Sequence, residues 1–129
     1  QSAPNIAAGS MSEDFKAEWI DDVTGTVDHN WVLGNFTGAV RLVASLYDPA
    51  SGRRMEILTD QPGMQFYSGN FFNDGSCGKF GRKIGYRGAV ALETQHFPDA
   101  PNHPQFPSTL LRPGETYTQT CIYRFCVCP

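Results

Sequence analysis

The 129-residue sequence lacks any long hydrophobic run. No window approaches the roughly 18 consecutive apolar residues that cross a membrane as a helix. The start also has no basic stretch followed by an apolar one, the pattern that directs secretion. These absences predict a chain without a membrane partner and favour the cytoplasm, although a removed signal would leave the same sequence.

The sequence also lacks a large excess of either positive or negative charge. Ten Lys and Arg stand against 13 Asp and Glu, which leaves a formal net charge of −3 at pH 7. The basic residues are scattered singly, whereas proteins that bind nucleic acid cluster Lys and Arg to neutralise phosphates. The sequence therefore argues against a nucleic-acid partner.

The sequence contains only four cysteines and three histidines, the residue types that most often bind metals. The cysteines crowd toward the end of the chain and match neither a disulfide framework nor a zinc site with two pairs: they are Cys77, Cys121, Cys126 and Cys128. No two histidines have the short spacing that brings both to one metal from a single element. Lys79 is not followed by Ser or Thr, so a phosphate loop is also missing. We therefore expect neither a metal site nor a phosphate loop.

Short segments in which apolar and polar residues alternate dominate the rest of the chain. This period of two is typical of half-buried strands, and it covers residues 39–46, 54–59, 64–71, 88–95 and 116–127. Turn residues separate the strands, and the pair Pro62 and Gly63 suits a type II turn. The sequence predicts one all-β domain, an antiparallel β-sandwich built as a meander.

Four segments between or before these strands have other compositions. Residues 1–12 are small and polar and read as a flexible lead-in, and residues 11–20 have only weak helical character. Residues 72–88 contain five glycines and predict a long surface loop. Prolines recur at every third position within residues 97–108, which favours a polyproline II path and could also serve as an interaction motif.

Three groups of polar residues are candidates for chemistry. Alternation places Glu93 on one strand face among alanines, where small neighbours leave room for a ligand, although an exposed surface acid would show the same pattern. Asp28 begins a polar triplet, residues 28–30, that could bind hydroxyls or form a turn. Gln65 shares a face with Tyr67 and could orient a ligand or be a structural amide.

Three stretches are long and specific enough to carry a family resemblance. They are residues 28–33 (DHNWVL), 59–71 (TDQPGMQFYSGNF) and 92–102 (LETQHFPDAPN). In this order and spacing they resemble the C-terminal part of aldose 1-epimerases, the galactose mutarotases, and residues 106–115 fit the same family. The resemblance covers roughly residues 27–125, while residues 1–26 match poorly.

The resemblance implies that residues 27–129 are the C-terminal part of a large antiparallel β-sandwich, the supersandwich of this family. Such a protein interconverts the α and β anomers of a free aldose, for example galactose or glucose, without metal or organic cofactor. By matching position, Glu93 is similar to the family's general base. Asp28 resembles its sugar-binding aspartate, and Gln65 resembles a further ligand contact.

The sequence departs from the family in two ways: it is shorter, and it lacks the residue that acts as general acid. The family's general-acid histidine, a second histidine and a sugar-binding arginine lie in an N-terminal half that has no counterpart here, and neither His29 nor His96 matches them. The general acid is therefore expected outside this chain. Three alternatives remain: a fragment of a longer enzyme, a chain completed by a companion that supplies the N-terminal half, or a non-catalytic carbohydrate-binding β-sandwich.

Overall fold

The computed structural model describes residues 6–8, 27–73, 75 and 77–127. Its strands are β1 (Ile6–Ala8), β2 (Asp28–Val32), β3 (Arg41–Asp48), β4 (Arg53–Thr59), β5 (Gly63–Tyr67), β6 (Ala91–Gln95) and β7 (Cys121–Val127). Two short 3₁₀ helices span Lys79–Gly81 and Ala100–Asn102. The weak helical signal over residues 11–20 and the end of the chain at Cys128 lie outside the described residues. In the part that is described, no helix has the length and apolar content to cross a membrane.

The strands form two sheets, with the orders β1-β2-β5-β6 and β3-β4-β7. All pairs are antiparallel except β1 with β2, which run parallel. The predicted all-β class and antiparallel sandwich are confirmed. Within the segment expected to be a flexible lead-in, residues 6–8 form β1 and pair in register with residues 30–32 of β2.

The core lies between the two sheets. Alternation along β5 and β6 turns Met64, Phe66 and Leu92 to the same face, and all three are buried. Ala44 of β3 and Ile57 of β4 meet them from the other sheet. Burial of apolar surface contributes roughly 25 cal/mol per Å², so this contact is the main attraction between the sheets.

The connection between β4 and β5 differs from the prediction. Residues 60–62 carry the chain from one sheet to the other, so these two strands are not neighbours in a meander. Gly63 already belongs to β5 and lacks the positive φ that a type II turn requires. A Cβ at Gly63 would lie 2.9 Å from both Asn30 Oδ1 and Phe97 Cδ1. Glycine is needed here for close packing and not for a turn.

Arg41 and Asp60 brace this connection. The Arg41 guanidinium donates to the carbonyl oxygens of Thr59 (3.3 Å) and Gln61 (3.2 Å). Burial lowers the pKa of Arg41, and the nearby charge of Asp60 only partly opposes that effect. Burial also tends to raise the pKa of Asp60, but hydrogen bonds from Gln61 and Thr120 outweigh it and leave the pKa below its ordinary value. The crossing between the sheets is therefore held by charge-assisted hydrogen bonds.

Strands β5, β6 and β7 are shorter than the alternation predicts. β5 ends at Tyr67 because the chain turns at Gly69, whose φ is +72°. A Cβ at Gly69 would come within 2.5 Å of the Ala89 carbonyl oxygen, so only glycine fits this turn. The predicted glycine-rich loop follows, with Asp74 and Ser76 outside the described residues.

The proline tract is not a continuous polyproline II helix. Asp99 adopts the left-handed conformation at φ 60°, and residues Ala100–Asn102 form a 3₁₀ helix. The N–H groups of Asn102 and His103 donate to the carbonyls of Asp99 and Ala100, each at 3.0 Å. Pro101 suits the first turn of a helix, where its missing N–H costs nothing. The proline spacing alone did not reveal this local hydrogen bonding.

Candidate active site

One face of the four-stranded sheet carries a row of polar side chains. Cross-strand register sets Asn30 opposite Gln65, and Gln65 opposite Glu93. Because side chains of paired residues lie on the same side of a sheet, the three strands β2, β5 and β6 bring these groups together. The apolar core described above occupies the opposite face of the same strands.

The three residues that the sequence singled out lie in one open cavity. Its volume is about 440 Å³, and it is lined by Asp28, Gln65, Tyr67, Phe71, Glu93, Gln95 and Pro98. Asp28 and Glu93 are exposed to this space, so both carboxylates can reach a bound molecule. The structure therefore gathers residues that are 28 to 65 positions apart in the sequence.

Hydrogen bonds among amides order the floor of the cavity. Gln65 Nε2 donates to Asp28 Oδ1 at 2.7 Å. Gln95 Nε2 donates to Asn30 Oδ1 at 3.0 Å and lies 3.5 Å from Gln65 Oε1. One carboxylate oxygen of Asp28 is thus held in place, and the exposed side chain lines the open cavity. This is a suitable arrangement for accepting a hydrogen bond from a ligand hydroxyl.

The structure around Asp28 contradicts the alternative hypothesis that residues 28–30 form a turn. Residues 28–30 are not a loop end but the first half of strand β2. Glu93 lies at the centre of β6, as the alternation predicts, with Ala91 on the same face. Alternation did not predict strand β2, because two apolar residues, Trp31 and Val32, are too few to show a period of two.

None of the histidines lines the cavity. His29 is paired with Phe66 and therefore lies on the other face of the sheet. His96 Nδ1 is 2.7 Å from Oε1 of the buried Gln61, beside the sheet crossing. His103 contacts Asp99 at 3.2 Å in the proline-rich segment. Within the described residues, the cavity holds carboxylates and amides but no imidazole.

Tyr67, Phe71 and Pro98 were not predicted as site residues. The Tyr67 hydroxyl accepts a hydrogen bond from the Phe71 N–H at 2.9 Å, and the two rings stack with centroids 6.2 Å apart. Tyr67 was detectable, since it shares a strand face with Gln65. Phe71 and Pro98 lie on loops whose paths no sequence period reveals.

Tyr123 supports Glu93 from the second sheet. Its hydroxyl donates to the Leu92 carbonyl oxygen at 2.7 Å. Burial raises the pKa of Tyr123, and the neighbouring Cys121 and Glu93 raise it further. The neutral phenol therefore ties β7 to the backbone of β6 directly next to Glu93.

A larger cavity of about 900 Å³ lies to one side, mostly between residues 108–111 and 115–119. Its one carboxylate, Glu115, accepts a hydrogen bond from the Arg112 N–H within its own turn at 2.8 Å. It lacks the pair of carboxylates found in the smaller cavity. The smaller cavity is therefore the better candidate for chemistry.

The fold and this cavity define a β-sandwich protein with an open polar site on one sheet face. A family model described as aldose 1-epimerase matches residues 7–124. The match includes residues 7–26, which lie in the N-terminal segment where a poor match is expected from the sequence. The chain belongs to the aldose 1-epimerase family.

Similar proteins agree with this assignment. The chain is 45% identical over 100 residues to the galactose mutarotase of Rattus norvegicus, covering 78% of this chain and 29% of that protein. It is 32% identical over 127 residues to the aldose 1-epimerase of Escherichia coli (strain K12), covering 97% and 35%. The solved structure of a GalM/aldose epimerase homologue from C. elegans matches with a TM-score of 0.68 and 30% identity, covering 79% and 30%. The chain spans about a third of the length of these relatives.

Proposed function

We propose that the protein containing this chain is an aldose 1-epimerase that interconverts the α and β anomers of a free aldose such as galactose or glucose. The observation that carries the proposal is the joint position of Glu93 and Asp28 in one cavity of a chain that belongs to this family. The cavity is open and polar, which suits a ligand that consists largely of hydroxyl groups.

In the proposed reaction Glu93 is the general base. It takes the proton from the anomeric hydroxyl while a general acid protonates the ring oxygen, and the bond between C1 and the ring oxygen breaks. Rotation about C1–C2 of the open aldehyde presents its other face. The hydroxyl formed from the ring oxygen then attacks C1, returns its proton to the acid group, and the new anomeric oxygen regains the proton from Glu93.

Asp28 and Gln65 hold the sugar in this scheme. Gln65 fixes Oδ1 of Asp28 at 2.7 Å, which leaves Oδ2 to accept a hydrogen bond from a sugar hydroxyl. Both side chains are on the same sheet face as Glu93, so a sugar bound by them would stand against the base. Holding the sugar in the correct position relative to the base lowers the activation barrier of the reaction.

The general acid is proposed to lie outside these 129 residues. The side chains that line the cavity include no imidazole, and Tyr123 is engaged with a backbone carbonyl. Further residues of the same polypeptide or a companion chain would supply the acid. The intact mass of the natural protein and a search for a co-purifying chain would distinguish these two sources.

A non-catalytic carbohydrate-binding sandwich is the second candidate. The observation that favours it is the same lack of a histidine among the cavity residues. Both candidates bind sugar, so the rate of anomer exchange separates them.

Glu93→Gln in the protein that contains this chain tests the proposal. We expect the rate to fall by about 10²–10⁴-fold, because the amide keeps the shape but removes the base. Polarimetry of α-galactose, with the spontaneous rate subtracted, gives the rate, and calorimetry should show nearly unchanged sugar affinity. Glu115→Gln, an exposed glutamate that lines the larger cavity and not the one that holds Glu93, is the control. A Glu93→Gln variant as fast as an active parent would remove Glu93 from this role, and a parent that binds sugar without turnover would favour the binding protein.

A further inference from the structure

A buried amide lies directly beneath the candidate site. The Asn30 side chain is 0% exposed, and a buried polar group is costly unless it is hydrogen-bonded. Its Oδ1 accepts a hydrogen bond from Gln95 Nε2 at 3.0 Å, while its buried Nδ2 has no hydrogen-bond partner among the described residues. This contact fixes which end of the Gln95 amide points toward β2, since only the nitrogen can donate to Oδ1.

The orientation of Gln95 passes to its neighbour. An amide nitrogen carries two hydrogens, and Gln95 Nε2 also lies 3.5 Å from Gln65 Oε1, to which it can donate the second one. Gln65 then donates from Nε2 to Asp28 Oδ1 at 2.7 Å. All donation therefore runs in one direction across the sheet, from β6 through β5 to β2. A flipped Gln65 amide would set its oxygen against the Asp28 carboxylate and its nitrogen against Gln95 Nε2, so that acceptor would face acceptor and donor would face donor.

We infer that Gln95 is a positioning residue for the sugar-binding pair, because it links the buried Asn30 to Gln65 and holds Gln65 in the amide orientation that clamps Asp28. This inference rests on the proposed function for its effect on a sugar, but the clamp itself is a property of the free protein. Gln95 stands two residues from Glu93 on the same strand face, so the base and the clamp share one rigid strand.

Gln95→Leu, which keeps most of the side-chain volume but cannot donate, tests the inference in the protein that contains this chain. We expect the dissociation constant for galactose and KM to rise about 5–10-fold, with kcat changed less than about threefold, since the clamp acts on the bound sugar before and during the reaction alike. Gln105→Leu, an exposed glutamine outside the cavity, is the matched control and should leave both constants unchanged.

A double-mutant cycle with Gln65→Leu shows whether Gln95 acts through Gln65. Once Gln65 is replaced, adding Gln95→Leu should raise the dissociation constant little further. Independent effects that multiply would overturn the inference. A Gln95→Leu variant with a lowered Tm, lowered kcat and unchanged KM would also overturn it, because that outcome describes a merely structural residue.

A readout without sugar separates this inference from the proposed function. In protein labelled with ¹⁵N-glutamine, the side-chain NH₂ signal of Gln65, assigned by its loss in Gln65→Leu, should move upfield in Gln95→Leu as the hydrogen bond to Asp28 weakens. An unmoved signal overturns the positioning role even in an active enzyme. A signal that moves in a protein without mutarotase activity supports the positioning role and removes only the proposed reaction.

Discussion

The two faces of the four-stranded sheet have opposite chemistry although the same strands make both. On one face Met64, Phe66 and Leu92 are buried against the second sheet. On the other, Asp28, Gln65 and Glu93 line an open cavity. The first face buries the apolar side chains of the core, and the second carries the polar side chains of the candidate site. This division lets a rigid core hold carboxylates and amides in a fixed arrangement.

Removal of a core side chain should give the largest effect on stability. Phe66 is 1% exposed at the centre of β5, so Phe66→Ala should lower the free energy of unfolding by about 3–5 kcal/mol through lost burial and the cavity left behind. Urea denaturation followed by circular dichroism measures it.

Phe71→Ala is the matched control, because the Phe71 ring is 80% exposed. Its free energy of unfolding should change by less than about 0.5 kcal/mol. Equal effects of the two substitutions would contradict the division into a stabilising face and a site face.

On the site face the effect should appear in binding instead. Asp28→Ala should weaken galactose binding by roughly 1–3 kcal/mol, because Gln65 and a sugar hydroxyl lose their acceptor, while the Tm stays nearly constant. Isothermal titration calorimetry gives the dissociation constant. Asp48→Ala, at the exposed end of β3, serves as the control. An unchanged dissociation constant would leave Asp28 with only a structural role.

The crossing between the sheets should show a smaller, pH-dependent effect. Since the pKa of Asp60 is lowered in the folded state, its contribution is present above the pKa of the unfolded chain, about 3.9, and is lost as the pH falls through the lower folded value. Asp60→Asn should cost about 1 kcal/mol at pH 7.

Urea melts at several pH values check this expectation. The difference between parent and Asp60→Asn should shrink as the pH drops below about 4. A difference that stays constant down to the acid limit would show that the Asp60 charge plays no part.

The smallest effect is expected on the exposed strand β7. Arg124 pairs with Glu56 of β4, with Nε 2.6 Å from Oε2, and its side chain is 59% exposed. An exposed pair of this kind contributes about 0.2–1 kcal/mol and is screened by salt. Arg124→Gln should therefore lower stability slightly in dilute buffer and hardly at all in 1 M NaCl. A loss of stability larger than that of Phe66→Ala would contradict the expectation that the buried core contributes more than this exposed pair.

The sequence by itself determined the all-β class and most strands, because side chains that alternate along a strand leave a period of two in the sequence. That alternation also placed Glu93 on the face opposite Leu92. The motifs around Asp28, Gln65 and Glu93 indicated the family, which the comparisons confirmed. The role of each of these residues stays a prediction.

Only the tertiary structure decided which residues meet. The register that aligns Asn30, Gln65 and Glu93 depends on pairing between strands far apart in the chain, and no local pattern encodes it. The crossing at residues 60–62 and the 3₁₀ helix at Ala100–Asn102 likewise follow from contacts and hydrogen bonds that form when the sheets pack and the backbone turns. Local periodicity sets the face on which a side chain lies, whereas packing between distant segments sets its neighbours.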